Sequence, residues 1–152
     1  MKIIAKNKKA CLRYQLRDKF EAGLVLSGTE VKSVKSGQIN ITDAYIRIFQ
    51  NTKGKLEAWL LNANIPKFKN TAEKKYDPRR NRKLLLKKSE IRTLIGKSAS
   101  GLQIIPLSVY IKKHLIKLEF ALAKSKSKFD KRETIKKRET ERRLAKLKKQ
   151  KI

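Results

Sequence analysis

Aliphatic residues run through this chain as far as Ala123 and then thin to Ile135, Leu144, Leu147 and Ile152. A hydrophobic core can form only ahead of that break, so the sequence divides into a body, 1–123, and a tail, 124–152. The body is long enough to bury one modest core, and 39% hydrophobic residues are sufficient for it. Between Lys124 and Lys128 basic residues alternate with Ser, which is linker chemistry. From Phe129 to Ile152 eleven Lys and Arg face four Asp and Glu, a net charge of +7 on that stretch.

That tail is nevertheless patterned for a helix. Asp130 and Glu133 have the spacing of a capping box, and Glu133 with Lys137 and Glu139 with Arg143 are favourably oriented pairs four residues apart. Each pair contributes only about 0.2–0.5 kcal/mol, so an unpacked tail is expected to stay disordered when free and to fold on its partner.

The whole chain carries 41 Lys and Arg against 13 Asp and Glu, a formal net charge of +28. A compact fold with that excess repels itself, and the natural relief is a polyanion. RNA, DNA and an anionic membrane surface all satisfy this condition. No run approaches the roughly 20 apolar residues of a membrane span, and Met1 to Ile4 leads into Lys6-Asn7-Lys8-Lys9 without a signal-peptide core. A cytoplasmic protein without membrane contact is expected. The single cysteine, Cys11, has no partner for an internal disulfide and lies in a strand-like stretch, where a small buried thiol is expected.

Residues 10–16 place Leu12, Tyr14 and Leu16 on one face of a first strand, and 20–26 form a second short apolar element. A short helix follows over 27–34, capped by Thr29, with Glu30 in its first turn and Gly37 as its stop. The runs 43–49 and 56–61 flank a turn containing Gly54 and make a hairpin. Residues 66–81 are polar and basic and read as a long mobile loop, in which Lys67, Lys69, Lys74, Lys75, Arg79 and Arg80 are suited to phosphate.

Residues 82–86 suit strand or helix, and 89–95 form a short helix ended by Gly96, with Ile91, Leu94 and Ile95 on its apolar face. A last hairpin runs from 102–111 through a turn at Lys112-Lys113-His114 to 115–123, with Pro106 marking an edge or a bulge. About six strands at short spacing, with two or three short helices, make the fold mainly β: a small closed barrel, oligonucleotide-binding-like, with a basic tail.

Catalysis finds no constellation in this sequence. One His, one Cys and scattered carboxylates match neither a catalytic motif nor a metal-ligand spacing, and no cofactor or metal is expected. His114 reads as an exposed turn residue. Tyr14, Tyr45, Phe49, Trp59 and Tyr110 all lie in strand patterns, so core packing is expected for most of them. Phe129 stands apart among Lys126, Lys128, Lys131 and Arg132, where a ring stacks beside phosphate-binding cations or anchors a helix.

Four separated stretches, Phe20-Glu21-Ala22-Gly23-Leu24, Gly28-Thr29-Glu30-Val31-Lys32-Ser33, Arg82-Lys83-Leu84-Leu85-Leu86 and Asp130-Lys131-Arg132, occur in register over nearly the whole chain. With Asn40 and Asp43-Ala44-Tyr45 after Gly37, they resemble the SsrA-binding protein (small protein B) family. The resemblance implies a monomeric bacterial adaptor with two partners. Its body binds the tRNA-like domain of transfer-messenger RNA, and its tail enters the empty decoding site and message channel of a stalled ribosome. Ser125 stands where the family carries Gly, and Tyr76 where many members carry His.

Matched position by position, the resemblance implies RNA contacts from Asn7, Lys8, Glu21, Glu30, Lys32, Lys83, Leu85, Lys87 and Lys124. Glu21 is either an acceptor for base or ribose donors or the partner of a nearby cation. Glu30 and Lys32 are either RNA contacts or structural, and Lys87 stands where some relatives carry Asn. The ribosome-contacting set is Lys126, Lys128, Phe129, Asp130, Lys131, Arg132, Lys136 and Arg138. A general RNA-binding or ribosomal protein of the same barrel class is the alternative, and a DNA-architectural protein a more distant one.

Overall fold

Among the described residues seven antiparallel strands and four helices follow one another as β1 (Lys2–Lys6), α1 (Ala10–Arg13), β2 (Tyr14–Leu24), α2 (Gly28–Lys35), β3 (Tyr45–Gln50), β4 (Leu56–Leu61), β5 (Arg82–Leu85), α3 (Lys88–Ser98), β6 (Gln103–Lys112), β7 (Leu115–Ser125) and α4 (Lys128–Gln150). The computed structural model describes residues 1–69, 74–126 and 128–150; the side chains of 128–131, 133, 134 and 147–150 lie outside what is described.

The pairings run β1-β6-β3-β4-β5-β2-β7, and β7 also pairs with β6, so six strands close into a ring with β1 added against β6. Closure is uneven. β6 and β7 pair along nearly their full length, whereas β3 meets β6 through the one residue pair Ile46 and Ile104.

The ring encloses the main core. Ile46, Leu60, Leu84, Ile104, Val109, Leu118 and Phe120 alternate inward from their strands, and Val34 of α2 and Leu94 of α3 join them. The rings of Phe20 and Phe120 stack at 5.6 Å between centroids. Ala10, Ile105 and Ala123 form a smaller cluster on the other side of β6. β6 is therefore covered on both faces, which explains its nearly continuous apolar run. Pro106 lies at a register shift in this strand, the bulge that a residue lacking an N–H requires.

Several sequence expectations change in three dimensions. The first strand, β1, is absent from the sequence reading because three apolar residues between two lysines carry almost no alternation. Residues 10–13 are helical, and the strand begins at Tyr14 and runs unbroken to Leu24, merging two expected elements. Cys11 is consequently exposed, since Ala10 takes the buried side of that short helix.

Ser27 caps α2 in place of Thr29: its hydroxyl accepts from the Glu30 N–H while Glu30 accepts from the Ser27 N–H, a reciprocal box. Gly37, at φ 87°, closes the same helix. α3 passes through Gly96 to Ser98, and the positive φ that ends the segment is at Gly101. β7 continues through Lys124 and Ser125, paired with Gln15 and Tyr14, so those two residues are sheet and not linker. The tail forms the single helix α4; the expected capping pair Asp130 and Glu133 lies outside the described side chains.

Tyr45 and Phe49 are exposed because Ile46 and Ile48 take the inner face of β3. Tyr14 and Trp59 are half-buried, and Tyr110 alone of the five aromatic candidates is fully buried.

Candidate nucleic-acid interface

Strand alternation assembles one outer face from residues far apart in sequence. Lys19 and Glu21 project from β2 on the side opposite Phe20 and Ala22, and the register sets Glu21 against Glu119 and Gly23 against both Lys117 and Leu85. Gly23 has no side chain to cover its neighbours; a Cβ there would lie 3.4 Å from Leu85 Cδ1. Glu21 and Leu85, separated by 64 positions, thus flank one bare stretch of backbone. Leu85 is 59% exposed, which leaves its side chain open to a ligand.

The Glu21 carboxylate is partly exposed and surrounded by cations. Lys112 Nζ lies 3.9 Å and Lys117 Nζ 4.0 Å from its oxygens, and the Tyr110 hydroxyl donates to Oε2. A groove of about 950 Å³ beside it is bounded by Lys8, Lys19, Tyr110 and Glu119 of the body and by Arg138 and Arg142 of α4. The sequence reading missed Lys19, Tyr110, Lys112 and Lys117; the alternation of 19, 21 and 23 was the available signal for the first, and only strand pairing brings the others.

Glu30 has a different environment. It is 1% exposed, Arg82 Nε donates to its Oε2 at 2.5 Å, and Arg80 donates to Oε1. Arg82 also donates to the Ala63 carbonyl at 2.8 Å. Burial raises the Glu30 pKa, but the hydrogen bonds from Arg80, the Ser27 N–H and Arg82 prevail and hold the carboxyl below its ordinary range. This glutamate ties α2 to β5 and to the loop before it. Arg80 is correspondingly occupied in an ion pair, unlike the phosphate-facing role expected of it.

The remaining candidates are dispersed. Asn7 is buried, its amide donating to the Pro106 carbonyl at 2.9 Å, so it secures the β6 bulge. Lys8, Lys32, Lys87 and Lys124 are exposed. Lys83 shares the outward side of β5 with Leu85 and pairs with Glu57 at 2.9 Å; that lysine, with Asn51, lowers the Glu57 pKa. Lys126 Nζ donates to the Cys11 carbonyl at 2.7 Å, fastening the segment after β7 to α1. Arg132, Lys136 and Arg138 are exposed on α4, and the side chains of Lys128, Phe129, Asp130 and Lys131 lie outside those described.

In the 66–81 loop, Tyr76 donates to the Ile65 carbonyl at 2.6 Å, and the Ile65 N–H donates to the Pro78 carbonyl at 2.9 Å, so its returning arm is anchored. On another side of the molecule the Arg47 guanidinium lies 5.4 Å from the centre of the Tyr45 ring. Among the described residues no cluster of three or more His, Cys, Asp or Glu side chains is arranged for a metal, and no helix is long and apolar enough to cross a membrane.

The profile of the SmpB protein family matches residues 4–150. The SsrA-binding protein of Persephonella marina is 44% identical over 153 residues, covering 100% of this chain and 97% of that protein. The SsrA-binding protein of Thermosipho melanesiensis is 48% identical, covering 95% of this chain and 96% of that one. A chain of the solved structure described as "tmRNA-SmpB: a journey to the center of the bacterial ribosome" superposes with a TM-score of 0.65 at 34% identity, over 86% of this chain and 93% of that chain.

Proposed function

This chain belongs to the SmpB protein family, and from that membership we propose how its body and its tail divide the work. It is an adaptor of trans-translation that binds transfer-messenger RNA and acts with it on the ribosome. The observation that carries this is the family match over residues 4–150, supported by relatives alike over nearly their whole length.

The body is a closed oligonucleotide-binding-like barrel, and its outer face around Glu21, Gly23 and Leu85 holds the tRNA-like domain. Charge explains why carboxylates belong there. On a surface of net charge +28, phosphate is attracted almost anywhere, so cations alone select poorly. Glu21 and Glu119 repel phosphate and accept only from N–H and O–H donors, which bases and ribose 2′-hydroxyls supply. Leu85 adds an apolar contact against a base or sugar. Lys8, Lys87 and Lys124, all exposed, set the protein on the surrounding backbone.

The tail acts separately. Its helix carries Arg132, Lys136 and Arg138 at the surface and enters the decoding site and message channel, where the aromatic at position 129 stacks near the decoding bases. Glu30 and Asn7 serve the fold. The protein acts by binding and not by catalysis, as a cytoplasmic monomer.

Affinity for an isolated tRNA-like acceptor and elbow, compared with duplex DNA of equal length at equal salt, tests the reading. Strong preference for the folded RNA is expected, and equal affinity for both overturns it.

A further inference from the structure

We propose that Tyr110 is a positioning residue of the RNA interface, its hydroxyl holding the Glu21 carboxylate in the orientation from which it accepts hydrogen bonds from RNA. The inference rests on the reading of Glu21 as an RNA acceptor.

Tyr110 comes from β6, 89 residues away from Glu21 in sequence, and is 3% exposed. A buried phenol needs a partner, and this one donates to Glu21 Oε2. The two flanking ammonium groups, at 3.9 and 4.0 Å, lie beyond the roughly 2.7–3.2 Å of an N–H···O hydrogen bond. They attract the carboxylate without directing it. Among the described residues the phenol alone fixes its rotation, and Oε1 accepts no hydrogen bond from the protein.

That fixation matters because of what lies opposite. Glu119 is the cross-strand partner of Glu21, and like charges directly across a sheet repel. An untethered Glu21 would swing toward one of the lysines, where it would be neutralised and turned from the ligand. Burial, followed by the Glu21 hydrogen bond and charge, pushes the Tyr110 phenol well above its ordinary pKa, so the proton stays and Tyr110 remains a donor. An acceptor already held in place has less freedom to lose on binding.

Full-length wild type, Tyr110→Phe, Glu21→Ala and the double variant are titrated with the tRNA-like domain of transfer-messenger RNA, with thermal unfolding in parallel. Tyr110→Phe is expected to bind about tenfold more weakly, the effect of one hydrogen bond to a charged group. In the Glu21→Ala background the same substitution should change affinity little. A general loss of stability would act equally in both backgrounds, so this comparison isolates the pair even if the buried ring perturbs folding. Wild-type affinity in Tyr110→Phe, or an equal loss in both backgrounds, overturns the inference while leaving the RNA reading intact. Failure of wild type to prefer this RNA over duplex DNA overturns the reading beneath it.

Discussion

Arg82 Nε donates to Glu30 Oε2 across 2.5 Å in the interior of the protein, with the arginine 0% and the glutamate 1% exposed. Removing one partner of such a buried pair leaves a charge without water or counterion. Glu30→Ala therefore should lower the unfolding free energy by about 3–5 kcal/mol in urea titration. Arg82 would keep its hydrogen bond to the neutral Ala63 carbonyl, which does not balance the charge, and its Nη2 has no hydrogen-bond partner among the described residues even in the intact pair.

The same glutamate sets an acid dependence. Its folded pKa lies below the ordinary value, so its contribution is complete above the unfolded pKa of about 4.3 and is lost as pH falls through the folded value. Below about pH 4.3 the stability of wild type should decline more steeply than that of Glu30→Gln, measured by denaturant unfolding across pH. Parallel curves would mean that Glu30 titrates normally.

Leu85 offers a test of the interface that leaves the core alone. It is exposed, so Leu85→Asp should keep the midpoint of thermal unfolding near that of wild type. The added carboxylate beside Glu21 should weaken binding of the tRNA-like domain by at least about tenfold, through lost apolar contact and phosphate repulsion. Unchanged affinity would move the interface elsewhere.

The β6–β7 turn is strained. Lys113 and His114 adopt φ of 49° and 66°, the region that Asn and Gly tolerate and that two-residue hairpin turns require. Replacing them by Asn-Gly should raise stability by about 1 kcal/mol without altering RNA affinity, checked by calorimetry and titration.

Truncation after Lys128 removes nearly all of α4 and no residue of either hydrophobic cluster. Binding of the tRNA-like domain should survive, and peptidyl transfer to transfer-messenger RNA on stalled ribosomes should cease. Transfer by the truncated protein would show that body and tail do not divide the work in this way.

Glu21 and Glu30 show how far the sequence could be read. Each stands in a motif that resembles the family, and nothing local separates their roles. Glu30 is tied to Arg80 and Arg82, 50 and 52 positions on, and is closed to solvent; Glu21 faces outward beside Leu85. Local signals did locate the β3–β4 hairpin, the Gly37 stop, the irregularity at Pro106 and the helical tail, because each depends on neighbours within a few residues. β1, the helical start at Ala10 and the exposure of Tyr45 escaped them, because those depend on which distant strand covers which face.

By itself the amino-acid sequence determined where a core can form, how much positive charge the surface must carry, which segments alternate as strands, and the family whose motifs it bears. Periodicity, composition and turn chemistry act over a few residues and survive without the fold. The tertiary structure alone decided that six strands close into a ring, that Glu30 is spent on two arginines, and that Glu21 meets Tyr110 and Leu85 on one face. Those outcomes come from cross-strand register, which joins residues tens of positions apart and sets which side chains are desolvated together.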